Sequence, residues 1–260
     1  YNPLNPDILF RDDLASYETR AERDSIRNLA QDVVQRKSLN FTNVGRTRVN
    51  PGADARFWDV ENFDFSYSYT EMYNRNIDIE YDQRKHWRGG LGYNYNANPK
   101  NVMPLANVPM LQNKAFALLR DFNFFYMPSM VSFRTNVDRS YAESLMRNKS
   151  SGLLLLEPNF IKTFNWNRLY DIRFDFTRNL RMEYNAMANA RVDEPQGRIN
   201  RNDDDYQWKR DSIWQSIRSM GRTTQFNHRT SLTYRIPINK LPLLDWITAD
   251  AGYIADFDWI

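Results

Sequence analysis

The stretch FNWNRLYDIRFDFTRNLRMEYNAMANARV (residues 164–192) alternates in side-chain character at every second position, with one short break near residues 177–179. One set of alternate positions is mostly apolar: Phe164, Trp166, Tyr170, Ile172, Phe174, Phe176, Leu180, Met182, Tyr184, Ala186, Ala188, Ala190 and Val192. The intervening positions are mostly polar or charged. Because two residues is the period of a β-strand, the stretch predicts an antiparallel hairpin with one apolar face and one polar face.

The arms of this hairpin are long. Each has about 13 residues, whereas strands of soluble sheets typically have about 5 to 6. About 9 to 11 residues of a tilted strand cross a bilayer, so each arm is long enough to span one. The side chains expected to face lipid here are Trp166, Tyr170, Ile172, Phe174, Phe176 and Tyr184. Those expected to face a hydrated lumen are Asp171, Arg173, Asp175, Arg181 and Glu183.

The same alternation recurs along the chain and predicts eight strands. They cover residues 61–70, 77–82, 87–96, 123–137, 164–177, 180–192, 224–238 and 247–260. The first of them adds four aromatic residues to the lipid-facing set: Phe63, Phe65, Tyr67 and Tyr69. The predicted fold is mainly β, a sector of an antiparallel transmembrane β-barrel. Because the polar face is too hydrophilic for a packed core, we expect a curved open sheet in which the first and eighth strands do not pair.

The strands divide the chain into two parts. Residues 1–60 form an N-terminal segment with a charged surface helix at 12–36, and residues 61–260 form the barrel wall. Turns are expected near 71–76, 83–86 and 177–179, with a compact connection at 237–246. Long connections at 139–163 and 193–223 are typical of external loops. The connection at 97–121, with a short helix at 111–120, is interpreted as a periplasmic insertion.

The composition limits the classes of function. The chain has 260 residues, no cysteine and a net charge of +3, so it offers neither a disulfide framework nor the basic footprint of a nucleic-acid-binding protein. No segment approaches the roughly 18 apolar residues of a transmembrane helix. Because it starts at Tyr1 and stops within an alternating pattern, we interpret the chain as a segment of a longer protein. A soluble β-sandwich remains the alternative to the barrel, and Arg168, on the apolar face by parity, is the main objection to a lipid-facing surface.

Residues capable of catalysis or metal binding form no recognisable motif. The only histidines are His86 and His228, and neither has the carboxylate spacing of a metal or acid-base site. Residues 202–205 lack the ligand spacing of a calcium loop, and Gly89 and Gly90 are interpreted as strand glycines. We expect no catalytic residue, metal site or cofactor.

One segment outside the strands has a stripe of large apolar side chains. Residues 205–220 predict a helix bearing Trp208, Ile213, Trp214 and Ile217. This helix either caps the rim of the barrel or binds a partner. If Trp214 is buried there, its replacement by alanine is expected to cost about 3 to 5 kcal/mol.

Several phrases of the sequence resemble one family. They are NPLNPDILFRDDLASYETRAERDSIRNLAQD (residues 2–32), KSLNFTNV (37–44), ENFDFSYSY (61–69), RVDEP (191–195), RDSIWQSIRSMGRTTQFNH (210–228) and LPLLDWITADAGYIADFDW (241–259). They are similar to the SprA (Sov) family, the giant outer-membrane translocons of the type IX secretion system and gliding-motility apparatus of Bacteroidota. The resemblance spreads over all 260 residues but covers a small sector of such a protein.

The resemblance implies a function in protein transport. Members of the family pass folded cargo proteins from the periplasm to the cell surface through a single-chain giant barrel. They reside in outer-membrane lipid and engage a PorV-type barrel, a plug protein and periplasmic components of the secretion system. The resemblance supplies no catalytic residue. Two other functions remain open on the residues alone: an outer-membrane β-barrel enzyme and a surface adhesin, each with a site in its loops.

Overall fold

The architecture is one antiparallel β-sheet with short helices in its connections. The computed structural model describes residues 2–48, 56–113, 116–148, 156–241 and 244–260. The strands are β1 (Val33–Gly45), β2 (Phe63–Arg75), β3 (Ile79–Asn96), β4 (Met130–Met146), β5 (Asn159–Asp175), β6 (Leu180–Arg191), β7 (Arg222–Ile236) and β8 (Ala249–Trp259). The helices are α1 (Phe10–Ala15), α2 (Arg20–Ala30), α3 (Ala117–Arg120) and α4 (Tyr206–Arg218). No helix in these described ranges has the length and apolar character needed to cross a membrane.

The sheet is open. Its strand order follows the chain from β1 to β8, and every neighbouring pair is antiparallel. Residues 63–70 pair with β1 and β3, and β8 pairs with β7 alone within the described ranges. The expected open antiparallel sheet, in which the first and eighth strands do not pair with each other, is therefore confirmed.

The N-terminal segment differs from the single helix expected at 12–36. Thr19 begins a new helix because its hydroxyl accepts a hydrogen bond from the Glu22 amide at 3.2 Å, while the Glu22 carboxylate accepts one from the Thr19 amide. This reciprocal capping box separates α1 from α2. Val33 and Val34 then begin β1, since β-branched residues favour strands and both pair with β2. The prediction missed this strand.

The turn predicted at 83–86 is also wrong. These polar residues lie inside β3, where Gln83 pairs with Tyr73 on one side and Glu143 on the other. Two neighbouring ladders therefore hold the segment extended despite its polarity. The predicted strands at 77–82 and 87–96 form one strand, which lowers the predicted count from eight to seven. The unpredicted β1 raises it to eight again, so the two errors cancel. The turn expected at 71–76 lies at 76–78, since β2 continues to Arg75.

The strands around the predicted external loop 139–163 are longer than expected. β4 starts after Pro128, not at 123, and its ladder with β5 runs from Met130↔Arg173 to Ser144↔Asn159. The loop shrinks to 147–158, of which 149–155 lie outside the described residues. The external loop predicted at 193–223 corresponds to the 192–221 connection and carries α4. β5 to β8 otherwise match their predicted bounds closely.

The insertion predicted at 97–121 extends to residue 129. It contains a bridge between Val102 and Phe124, a short 3₁₀ turn at Pro109–Leu111 and the single turn of α3. The helix expected at 111–120 is therefore only partly helical, and residues 114–115 lie outside the described ranges. We call the end of the sheet with the 76–78, 147–158 and 192–221 connections the loop end. The opposite end, with the 97–129 insertion, is the insertion end.

Candidate functional site

The pairing registers assign side chains to two faces of the sheet. Directly opposed residues of antiparallel strands share a face. One such row crosses the sheet through Phe63, Tyr93, Phe133, Tyr170, Ala186, His228 and Phe257. We call this side the aromatic face and the other side the polar face.

The predicted lipid-facing residues collect on the aromatic face. By register it carries Phe63, Phe65, Tyr67, Tyr69, Trp166, Tyr170, Ile172, Phe174 and Tyr184. Phe176 follows the end of β5, with its ring centroid 4.6 Å from that of Phe174. The predicted grouping into two faces thus matches the registers, and what each face contacts stays a prediction.

The polar face is built from opposed charges. The predicted lumen-facing residues Asp171, Arg173, Asp175, Arg181 and Glu183 all lie on it. Arg173 Nε is 3.0 Å from Glu183 Oε1, and Arg181 Nε is 2.6 Å from Asp175 Oδ1. Both pairs are partly exposed, so each adds at most about 1 kcal/mol to stability. Their effect is to leave this face hydrophilic while most of its charges are balanced locally.

Glycines admit close contacts on the polar face of β3. A Cβ atom on Gly92 would lie 2.1 Å from Asp64 Oδ1, and one on Gly90 would lie 2.6 Å from Ser66 Oγ. The interpretation of Gly89 and Gly90 as strand glycines is confirmed, because both lie inside β3.

The aromatic face becomes charged at the loop end. There Glu143 is 3% exposed and accepts hydrogen bonds from the hydroxyl groups of Tyr81 at 2.8 Å and Tyr141 at 2.6 Å. Arg198, from the 192–221 connection, binds the same carboxylate through both Nε and Nη2. The hydrogen bond to Glu143 raises the pKa of Arg198 above its ordinary value. A buried carboxylate therefore attaches the connection to the sheet.

Two further contacts reinforce this attachment. Glu194 forms a bidentate ion pair with Arg139, whose guanidinium lies 5.1 Å from the ring of Trp87. Lys162 donates to the Pro195 carbonyl at 2.9 Å and also to the carbonyl of Gly197. We call Arg139, Glu143, Lys162, Glu194 and Arg198 the loop latch. It folds the 192–221 connection back over the aromatic face.

Helix α4 and this end of the sheet border one open cleft, which is lined by Ile213 and Trp214 of the helix and by Trp87 and Tyr141 of the sheet. Lys209 is buried and donates to the Arg198 carbonyl at 2.9 Å, and Ile213 and Ile217 are half-buried. Trp208 and Trp214 are 65% and 55% exposed. The helix prediction is confirmed. Because Trp214 is not buried in this structure, the cost of about 3 to 5 kcal/mol expected for its replacement by alanine does not apply.

The insertion end is also held by polar contacts. Asp121 lies 2.8 Å from Lys240 Nζ and 3.0 Å from Arg120 Nε, and the hydrogen bond from Lys240 contributes most to lowering its pKa. The Asn123 side-chain oxygen accepts a hydrogen bond from the Arg178 amide at 2.8 Å. The 97–129 insertion is thereby connected to the turns that follow β5 and β7.

The histidines lie on opposite faces. His86 is on the polar face, with Nε2 2.9 Å from Asp138 Oδ1, and His228 stacks on Phe257 with ring centroids 5.3 Å apart on the aromatic face. Across the described ranges, no three histidine or acidic side chains are grouped closely enough to hold a metal ion.

The loop latch was not identified from the sequence. Glu143 and Arg198 are 55 residues apart in the chain, so no local spacing links them. A partial signal exists, because Arg139, Glu143 and Lys162 occupy the same phase of alternation as the aromatic residues. If the alternation is continued beyond the predicted ends of β4 and β5, these three charged residues fall on the aromatic face at the loop end.

No protein-family model matches the chain, and no curated protein matches it either.

Proposed function

We propose that the chain is a wall sector of the outer-membrane translocon of a type IX secretion system, through which folded cargo proteins reach the cell surface. The observation that carries this proposal is the division of long strands into an aromatic face and a charged face. The aromatic face suits contact with lipid, and the polar face suits a water-filled conduit.

The outer edges of β1 and β8 pair with no strand in the described part of the chain, and this supports a large pore. A sheet of eight strands that closed on itself would surround a space filled by side chains. An open sheet can instead continue through further strands on both sides and contribute to a much wider wall. In this proposal the loop end faces the cell surface and the insertion end faces the periplasm.

Single cysteine variants test the assignment of faces, because this chain contains no cysteine. In outer-membrane vesicles, a water-soluble maleimide should label Asp171→Cys and Asp175→Cys but not Tyr170→Cys and Phe174→Cys. The matched neighbours differ only in the face they occupy. Equal labelling of all four variants would contradict the proposal.

Blocking the conduit tests transport directly. Biotin-maleimide followed by streptavidin on Asp171→Cys should stop the appearance of folded cargo on the cell surface. The same treatment of Tyr170→Cys should leave secretion unchanged. Undiminished secretion with streptavidin attached to residue 171 would show that the polar face does not line the path.

The second candidate function is a surface adhesin. It is favoured by the exposure of Trp208 and Trp214 on α4 at the loop end, since tryptophan is common among residues that dominate binding energy at protein interfaces. An adhesin would lose adhesion and keep secretion when both tryptophans are replaced by serine. A translocon would also keep secretion in this variant, so the variant alone does not separate the two functions. The streptavidin block separates them, because it should stop secretion only if the polar face lines the path of the cargo.

A further inference from the structure

Arg168 is a buried cation on the aromatic face. It lies in β5 between Trp166 and Tyr170, opposite Thr135 of β4 and Ala188 of β6. Only 6% of its surface is exposed. A guanidinium stays charged in proteins, so its burial requires a compensating partner.

No carboxylate in the described part of the chain supplies that partner. The Nε atom of Arg168 is buried and donates no hydrogen bond to any of these residues. The contact that positions the guanidinium is the ring of Trp166, whose centroid lies 5.3 Å away. Trp166 is itself fixed, because its Nε1 donates to the Thr135 hydroxyl at 2.6 Å. Arg168 is thus held in place with unused capacity to donate.

A cleft of about 420 Å³ opens beside Arg168 on the same face. Its other walls are mostly apolar or aromatic, and Thr223 adds one hydroxyl group; the remaining lining residues are Tyr170, Ile172, Tyr184, Ala188 and Phe226. One cation in a largely apolar cleft suits a molecule with an anionic head and an apolar body. Arginine binds phosphate particularly well because its donors form a planar fork.

The direction of the side chain suits a molecule in the outer leaflet. Trp166 lies on the loop-end side of Arg168, and the aromatic face becomes charged a few residues further, where Phe164 opposes Arg139. Tryptophan is typical of the membrane interface, and long cationic side chains extend toward it. Because the guanidinium lies over the Trp166 ring, it is displaced toward the loop end. A headgroup in the outer leaflet would approach from that end.

We propose that the cleft beside Arg168 binds the phosphate of a phosphate-bearing lipid, with an acyl chain lying against Ala188 and Phe226. This inference rests on the proposed function, because it takes the aromatic face as the lipid-facing one. It adds a specific ligand class and names the residue that recognises it.

The test uses monomeric probes and the full-length protein in detergent, with binding followed by native mass spectrometry. Short-chain phosphatidic acid should bind about tenfold or more tightly than the diacylglycerol with the same chains, because only the former offers a charged acceptor. Inorganic phosphate alone should not compete. Competition by inorganic phosphate at the same concentration would indicate a simple anion site and overturn the lipid assignment.

Three variants and a control identify the residues responsible. Arg168→Gln should abolish the preference for phosphatidic acid, Arg168→Lys should retain part of it, and Ala188→Leu should reduce binding by filling the cleft while keeping the cation. Arg134→Gln removes an exposed arginine from the polar face at the adjacent position and should bind normally. Unchanged binding in Arg168→Gln, or in Ala188→Leu if the former does not fold, would refute the proposal.

Failure of this inference is distinguishable from failure of the proposed function. Monomeric probes do not require a membrane, so binding can be measured wherever the protein is located in the cell. A protein that inserts and secretes but ignores phosphatidic acid overturns only the lipid site. A protein that binds the probe through Arg168 but labels equally on both faces overturns only the translocon.

Discussion

Removal of Arg198 should weaken the attachment of the 192–221 connection to the sheet. Arg198→Met leaves the carboxylate of Glu143, 3% exposed, with the Tyr81 and Tyr141 hydroxyl groups as its only donors among the described residues. The guanidinium provides two charge-assisted hydrogen bonds, but its own side chain is 55% exposed, so water replaces part of what is lost. We take the value of a single such bond, about 1.5 to 3 kcal/mol, as the amount by which the substitution lowers the free energy needed to open the connection.

That cost has a measurable consequence in hydrogen exchange. Because each 1.4 kcal/mol changes an equilibrium about tenfold, amides of α4 should exchange about 10 to 150 times faster in Arg198→Met. Trypsin should also cleave the connection earlier. Arg201→Met is the matched control, since it removes an exposed arginine from the same connection.

A double-mutant cycle shows whether the effect belongs to the pair. Glu143→Gln removes the charge and keeps the shape, so Arg198→Met should cost much less in that background. Unchanged exchange of α4 in Arg198→Met would refute the latch, as would an equal acceleration in Arg201→Met. Additive effects of the two latch substitutions would show that Glu143 and Arg198 act independently.

Three other predictions follow from the faces, the insertion end and α4. Phe174→Arg places a charge on the aromatic face, where a mid-membrane position costs about 2 to 4 kcal/mol, whereas Asp175→Arg changes a hydrated face. Only the first variant should impair heat-modifiability and surface yield. Equal yields of the two variants would reject the assignment of faces. The pKa of Asp121 is lowered, chiefly by the hydrogen bond from Lys240, so the contact stabilises the protein at pH above the ordinary value of about 4 and is lost as the pH falls through the lowered value. The protection factors of amides 238–241, which are corrected for the intrinsic pH dependence of exchange, should therefore fall in acid in the wild type and be already low at neutral pH in Asp121→Asn; identical pH profiles of protection would exclude this contact. Because Trp214 is 55% exposed, Trp214→Ala should change the stability of the connection by about 0.5 kcal/mol or less, and Ile213→Ala by more; the reverse order in proteolysis rates would show that the helix packs the other way.

Alternation predicted the fold where both faces of a strand had distinct chemistry. Residues 164–192 satisfy that condition, and the observed β5 and β6 differ from the prediction mainly by the extension back to Asn159. The two faces of β1 do not differ in this way, because Gln35 and Lys37 share a face with Leu39 and weaken the alternation. The error at residues 83–86 has the same origin, since Gln83 and Lys85 lie on the aromatic face where it becomes charged.

The candidate site was predicted in part for a related reason. Membership of the two faces follows from parity, which is a local property of the sequence. The contacts of Glu143 with Arg198 and of Asp121 with Lys240 join residues that are 55 and 119 positions apart. Such partners are determined by the topology of the sheet, and the sequence of either segment alone does not specify them.

The opposed charges of the polar face have an electrical consequence. Arg229 lies opposite Asp256 and Arg235 opposite Asp250, as in the β5–β6 pairs, so each arginine and its carboxylate form a dipole. The field of a dipole decreases faster with distance than that of a single charge, and dissolved ions screen it further within about 8 Å. If the polar face lines a conduit as proposed, that conduit presents a nearly even potential to whatever moves through it. We expect acidic and basic proteins to cross it without being retained, and its conductance to distinguish little between potassium and chloride.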